Sequence, residues 1–167
     1  GERRNMRYSS ENFSDFEFHD TELYFKDFEN SNLRLTARYL NIHKEAEQNP
    51  HNCDMETDCA EILFENADIR LFETMEAYTY GCDGSVAGFE PRTVCEGAGA
   101  ADRLTDELKK GLSVNCVYAG SDKDGAFLSV TSNSGFVAVI YFARAVIRWD
   151  GFRSEAWYES TGNKPET

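Results

Sequence analysis

Leu33-Arg34-Leu35-Thr36-Ala37-Arg38-Tyr39 places an apolar side chain at every second position and a polar one between. Successive side chains of an extended chain point to opposite faces. A period of two therefore describes a β-strand with one face in a core and the other in water. The Asn30-Ser31-Asn32 triplet before it reads as a turn. Upstream, Phe16 and Phe18, then Leu23 and Phe25, repeat the pattern as two short strands interrupted at His19-Asp20-Thr21. After Tyr39 the apolar residues change parity at Leu40 and Ile42, which points to a bulge.

The same reading extends along the chain. Lys44 to Asp58 is polar, carries Asn49-Pro50, and reads as a long loop of the kind that often carries function. Cys59 to Phe64 is a strand with Ala60, Ile62 and Phe64 on one face. After a turn at Glu65-Asn66-Ala67-Asp68, Ile69 to Tyr78 is a further strand, kinked near Thr74. Gly81 to Gly99 is glycine-rich and mostly loop, with short strands at Val86–Phe89 and Thr93–Cys95. One helix is expected over 100–110: Leu104 and Leu108 share a face, Lys109 and Lys110 suit its negative end, and Gly111 suits the residue past it. Leu112 to Tyr118 and Phe127 to Thr131 flank the Asp124-Gly125 turn, and Phe136 to Ile147 is apolar at both parities, as a central strand buried on both faces would be. Arg153 to Glu159 is expected to be the last strand, with frayed tails at 1–12 and 160–167. These elements predict a single domain over 1–167, mainly β with one helix (α+β): an antiparallel β-sandwich or curled sheet of about eight to ten strands, with a β-barrel as the alternative.

The chain has 167 residues, 41% of them hydrophobic, including twelve Phe and eight Tyr, enough for a packed core. No apolar run is long enough for a transmembrane helix, and the polar opening Gly1-Glu2-Arg3-Arg4-Asn5-Met6 has no signal-peptide character. Five cysteines without tight spacing read as reduced thiols of a cytoplasmic protein, with a Cys53–Cys59 bridge as the alternative for an exported one. The net charge of −13 is concentrated in residues 1–100, which hold 21 acids and 9 bases. Such a surface repels nucleic acid and anionic membranes and attracts a basic protein partner. Asp54, Glu56, Asp58, Glu61 and Glu65 lie in its densest stretch and are the residues expected to carry that attraction.

Candidate chemistry is sparse. His19-Asp20 pairs an imidazole with a carboxylate, as a general base or a metal ligand requires. Adjacent residues on a strand diverge, however, so a turn cap and a backbone hydrogen bond are the expected roles. His43, His51, Cys53, Asp54, Asp58 and Cys59 gather around the long loop. His51, Cys53 and Cys59 are zinc-competent types but lack paired CxxC arms. A small metal-dependent enzyme or metal-binding protein using His19, Asp20 and the 51–59 loop is one alternative. Asp122-x-Asp124-Gly125 lacks the remaining positions of a calcium loop and reads as a hairpin turn. Trp149, Phe152, Trp157 and Tyr158 belong to the core or form a platform for a sugar or small molecule. No nucleotide-binding or hydrolase motif occurs, and no cofactor is called for.

Phe18-His19-Asp20-Thr21-Glu22-Leu23, followed by Leu33-Arg34-Leu35-Thr36, is similar to the opening of many small bacterial β domains of uncharacterised or immunity-protein type. The resemblance spans about the first 45 residues. It implies a cytoplasmic, non-enzymatic binding domain, with toxin neutralisation as one role and no catalytic residues.

Overall fold

The computed structural model describes residues 5–161 and residue 165. Strands dominate: β1 (Tyr8–Ser10), β2 (Phe16–Glu17), β3 (Glu22–Glu29), β4 (Asn32–Arg38), β5 (Asn41–Ile42), β6 (Met55–Thr57), β7 (Ala60–Glu65), β8 (Asp68–Thr74), β9 (Ala77–Tyr80), β10 (Val86–Glu90) and β11 (Thr93–Glu96). Helix α1 (Gly97–Lys110) follows, then β12 (Leu112–Asp122), β13 (Gly125–Ser132), β14 (Phe136–Phe142), β15 (Arg144–Trp149), β16 (Phe152–Glu155) and the short helix α2 (Trp157–Thr161). Ten strands form one antiparallel sheet in the order β1-β15-β7-β4-β3-β12-β13-β14-β8-β11. A four-stranded sheet runs β16-β6-β5-β2, and β9 and β10 form a separate hairpin. The architecture is the expected mainly β, antiparallel one with one main helix, and it is not a closed barrel. The strand number exceeds eight to ten because the segments 33–42, 69–78 and 136–147, each read as one strand, divide in two, and because β1 and β6 add short strands in the expected tail and long loop.

The large sheet folds over because its strands break at one corner. Asn66, with φ of 53°, separates β7 from β8, and Ala143 separates β14 from β15. The Ala143 amide donates to the Glu65 carbonyl at 2.9 Å, tying the two breaks together. The apolar run Phe136–Ile147 is thus two strands in two halves of the sheet, not one central strand. On β14, Phe136, Ala138 and Ile140 are buried, while Val137, Val139 and Tyr141 are only partly so. The parity change after Tyr39 is likewise a break rather than a bulge: Tyr39 has φ of 62°, and the chain leaves the large sheet for the small one.

Leu23, Leu35, Ile62 and Phe64 from one half meet Leu128, Val130 and Ile140 from the other, and α1 inserts Leu104 and Leu108 between them. Gly111 ends the helix with φ of 96°, its amide donating to the Leu108 carbonyl. A Cβ there would meet Tyr24 Cε1 at 2.8 Å, so glycine is required on both counts.

Residues 8–10 and 157–161 form elements that the sequence did not imply. β1 lies within the expected N-terminal tail and pairs with β15, Tyr8 opposite Trp149. The expected last strand ends at Glu155, and Trp157–Thr161 is helical instead. Residues 1–4, 162–164, 166 and 167 of the two expected tails lie outside the described residues. Among the described residues no helix is long and apolar enough to cross a membrane.

Replacing Leu104 by Ala should lower stability by about 2–5 kcal/mol, since the two sheet halves cannot close on the space it leaves. Urea denaturation measures this, and Asp102→Ala on the exposed face of the same helix should change little.

Candidate functional site

The long loop is closed by side chains rather than by a ladder. Asn49 is buried, and its amide nitrogen donates to the Cys53 carbonyl at 3.1 Å and to the His43 carbonyl at 3.3 Å. Its oxygen accepts from the His51 amide at 2.9 Å. This folds residues 43–54 into a turn that brings His43 and Asp54 together.

Asp54 is 0% exposed. Its Oδ2 accepts from the Tyr158 hydroxyl at 2.6 Å and from His43 Nδ1 at 2.9 Å, and its Oδ1 accepts from the Lys44 amide at 2.9 Å. Its own amide donates to Glu159 Oε1 at 3.0 Å, and its carbonyl accepts from the Ala156 amide at 2.9 Å. Burial by itself would raise the Asp54 carboxyl. The hydrogen bonds from Tyr158, His43 and the Lys44 amide outweigh burial and hold it below the usual carboxylate range. Burial pushes the Tyr158 hydroxyl far up, and the hydrogen bond to Asp54 and the nearby Glu17 charge add to the effect. The pair is a neutral phenol donating to a carboxylate at physiological pH.

Beside this knot opens a cleft of about 630 Å³. Glu17, His43, Glu45, Asp54 and Tyr158 give it a polar, acidic end, while Phe13, Phe16, Phe18, Val117 and Tyr118 give it apolar walls. A cleft of this size and mixed lining suits a small molecule. His43, Glu45 and Asp54 bring one potential ligand atom each within 4.8 Å of one another, the one such cluster among the described residues. In this arrangement, however, His43 Nδ1 and Asp54 Oδ2 are spent on each other.

The residues singled out from sequence fare differently. Asp54 is buried and takes no part in an exposed acidic face. Glu56, Glu61 and Glu65 each face a cation of this chain: Arg153 at 3.5 Å, Lys26 at 2.8 Å and Arg144 at 3.1 Å. Asp58 accepts from the Asp150 amide at 3.1 Å. These residues do not form one free patch. His51, Cys53 and Cys59 do not converge as a ligand set; His51 stands edge-on to Phe152, and burial together with Glu155 and Glu159 pushes the Cys53 thiol up. Cys53 and Cys59 are both free thiols. His19 Nδ1 bonds the Asn115 carbonyl at 2.9 Å, and Asp20 sits at a turn with φ of 63°, the structural roles expected. That turn brings His19 Nε2 within 3.6 Å of Asp20, closer than two neighbours on a regular strand could come. Trp149 is 0% exposed, packed between Tyr8 and Phe16, so it belongs to the core, whereas Trp157 is 47% exposed.

Two features escaped the sequence reading. Glu17 is buried in the cleft wall, and the visible signal was a charge between Phe16 and Phe18. The β9–β10 hairpin continues the β8–β11 ladder outward after a break at Pro91, which has no amide proton to donate. Its paired residues Tyr78–Phe89 and Tyr80–Val86 put four large apolar side chains on one face, each at least half exposed.

Asp54→Ala should destabilise the protein by about 3 kcal/mol or more, because it strands the Tyr158 hydroxyl and the Lys44 amide, and Tyr158→Phe by about 1.5–3 kcal/mol. Since the folded-state carboxyl lies below its unfolded value, its contribution is complete above about pH 4 and drains away as pH falls through the folded value. Urea midpoints measured down that range should fall more steeply for the parent protein than for Asp54→Asn. In comparisons with protein-family models, curated proteins and solved structures, nothing matches this chain.

Proposed function

We propose that this chain is a non-enzymatic binding domain of bacterial cytoplasm, of the immunity type its opening motif resembles, and that it holds a basic protein partner. The observation that carries this reading is the projecting hairpin. Tyr78, Tyr80, Val86 and Phe89 are 51%, 63%, 57% and 50% exposed, and the Tyr78 and Phe89 rings lie 4.9 Å apart. A two-stranded ribbon gains little stability from an aromatic face left in water. Aromatic side chains held rigidly on one face are the usual anchors of a protein interface.

Charge supplies the rest. Glu76, Asp83 and Glu90 are exposed on the hairpin and its flanks, and the nearby Arg92 is already paired with Glu73. A partner that covers the ribbon must therefore bring an apolar pocket with a basic rim. The net charge of −13 favours its approach from a distance.

The experiment is to purify the partner with the tagged protein at low salt, identify it, and titrate the purified pair. Tyr78→Ala and Phe89→Ala should each weaken binding by about 2 kcal/mol, roughly thirtyfold, and leave the melting temperature close to that of the parent. Lysine at positions 76, 83 and 90 should slow association and flatten its salt dependence. An acidic partner, or one bound as tightly by the double alanine variant, would overturn the reading.

A further inference from the structure

In the lining of the cleft beside Asp54, Glu17 is a carboxylate with few partners. Glu17 is 9% exposed, yet its one hydrogen bond among the described residues comes from the His19 amide, to Oε1 at 2.9 Å. Oε2 has no donor among those residues. Asn41, 1% exposed, lies directly opposite Glu17 in the β2–β5 ladder, so the two side chains share a face. Neither the amide nitrogen nor the oxygen of Asn41 finds a partner among the described residues. Asp54, by contrast, is fully bonded and adds its negative charge to the same floor.

With Oε1 taken by the His19 amide, Oε2 is left open to the cleft, where a cation would complete its contacts. No Lys or Arg lines the cleft among the described residues; its acids are Glu17, Glu45 and Asp54, and its one basic side chain is His43, held by Asp54. The walls above the floor are aromatic: Phe13, Phe16, Phe18 and Tyr118. Ring faces attract ammonium groups as well as apolar stems.

We propose that this cleft binds an organic cation, an ammonium group on an apolar stem, with the ammonium against Glu17 and the stem along the aromatic wall. A volume of about 630 Å³ accommodates such a molecule whole. The shared chemistry is that of a free amine or of a lysine side chain. The site is separate from the β9–β10 hairpin, so its failure and the failure of the partner reading are distinguishable.

Calorimetric titration of the whole protein at low salt tests the assignment with four probes. These are phenethylamine, its neutral analogue phenethyl alcohol, its anionic analogue phenylacetate, and a blocked Gly-Lys-Gly peptide. Saturable binding of phenethylamine or of the peptide is expected, and whichever is tighter identifies the source. The alcohol should bind at least about tenfold more weakly than the better cation, and phenylacetate not at all. Glu17→Gln should lose at least about tenfold in affinity for the cation while melting no lower than the parent, since it removes a buried charge. Amide resonances of Val117 and Ala119 should shift on titration. Absence of saturable binding by both cations at millimolar concentration would sink the proposal. So would equal binding of the alcohol, or an unchanged affinity in a folded Glu17→Gln.

Discussion

The carboxylate of Asp54 joins three parts of the chain that would otherwise meet only at their edges. Two oxygens take donors from residues 43, 44 and 158, while the backbone of the same residue bonds Glu159 and Ala156. The long loop, the small sheet and the C-terminal helix therefore share one buried anion. The dependence runs both ways. An anion taken out of water is tolerable only with donors placed around it, and those donors would be orphaned without the anion. Neither side can be lost alone, which makes this corner cooperative although its strands are only two to four residues long.

Hydrophobic packing sets the rest of the frame. The ten-stranded sheet would present two large apolar faces if it stayed open, and the breaks at Asn66 and Ala143 let it close on itself over α1. Once the halves meet, the same buried cluster runs on into the small sheet through Phe16, Ile42 and Met55. At that junction Trp149 stacks with Tyr8 and stands edge-on to Phe16 and Phe152. The cleft lies between β2 with the 43–54 loop and residues 116–119 of β12, and Phe16 and Phe18 are shared between its lining and the core. One end of it is polar because the Asp54 knot is there.

Much of this frame was legible. Alternation located β4, β7 and β12, the Asp124-Gly125 pair located a hairpin, and leucine spacing with Gly111 located the helix. Alternation reports only which face a residue takes, so it could not see a corner. Phe142-Ala143-Arg144 contains no Gly or Pro, and two strands in different halves of the sheet read as one. Trp157 and Tyr158 look like strand residues by propensity, but Tyr158 is placed by a hydrogen bond to a residue 104 positions earlier. The cleft was half legible. His43 and Asp54 stood out in the loop cluster, whereas Glu17 and Tyr158 enter through pairings that no local pattern encodes. The acidity was legible as a total, whereas the internal cations that face Glu56, Glu61 and Glu65 were not, since those pairings join distant parts of the chain.

Three groups of aromatic residues meet three fates, and the contrast bears on function. Those around Trp149 are consumed in packing, those of the cleft are shared between the core and a wall, and those of the β9–β10 ribbon face water. Core packing accounts for the first group and, through the contacts of Phe13, Phe16 and Phe18, for most of the second. The third has no internal explanation: the ribbon projects past Thr74 and Thr93, the last paired residues of β8 and β11, and both its edges are free. Such a ribbon invites edge-to-edge association between copies unless charge prevents it. Glu76, Asp83 and Glu90 supply that charge, and they repel a second copy of this acidic chain while attracting a basic surface. On the proposed reading, the same three carboxylates oppose pairing between copies and favour a basic partner over an acidic one.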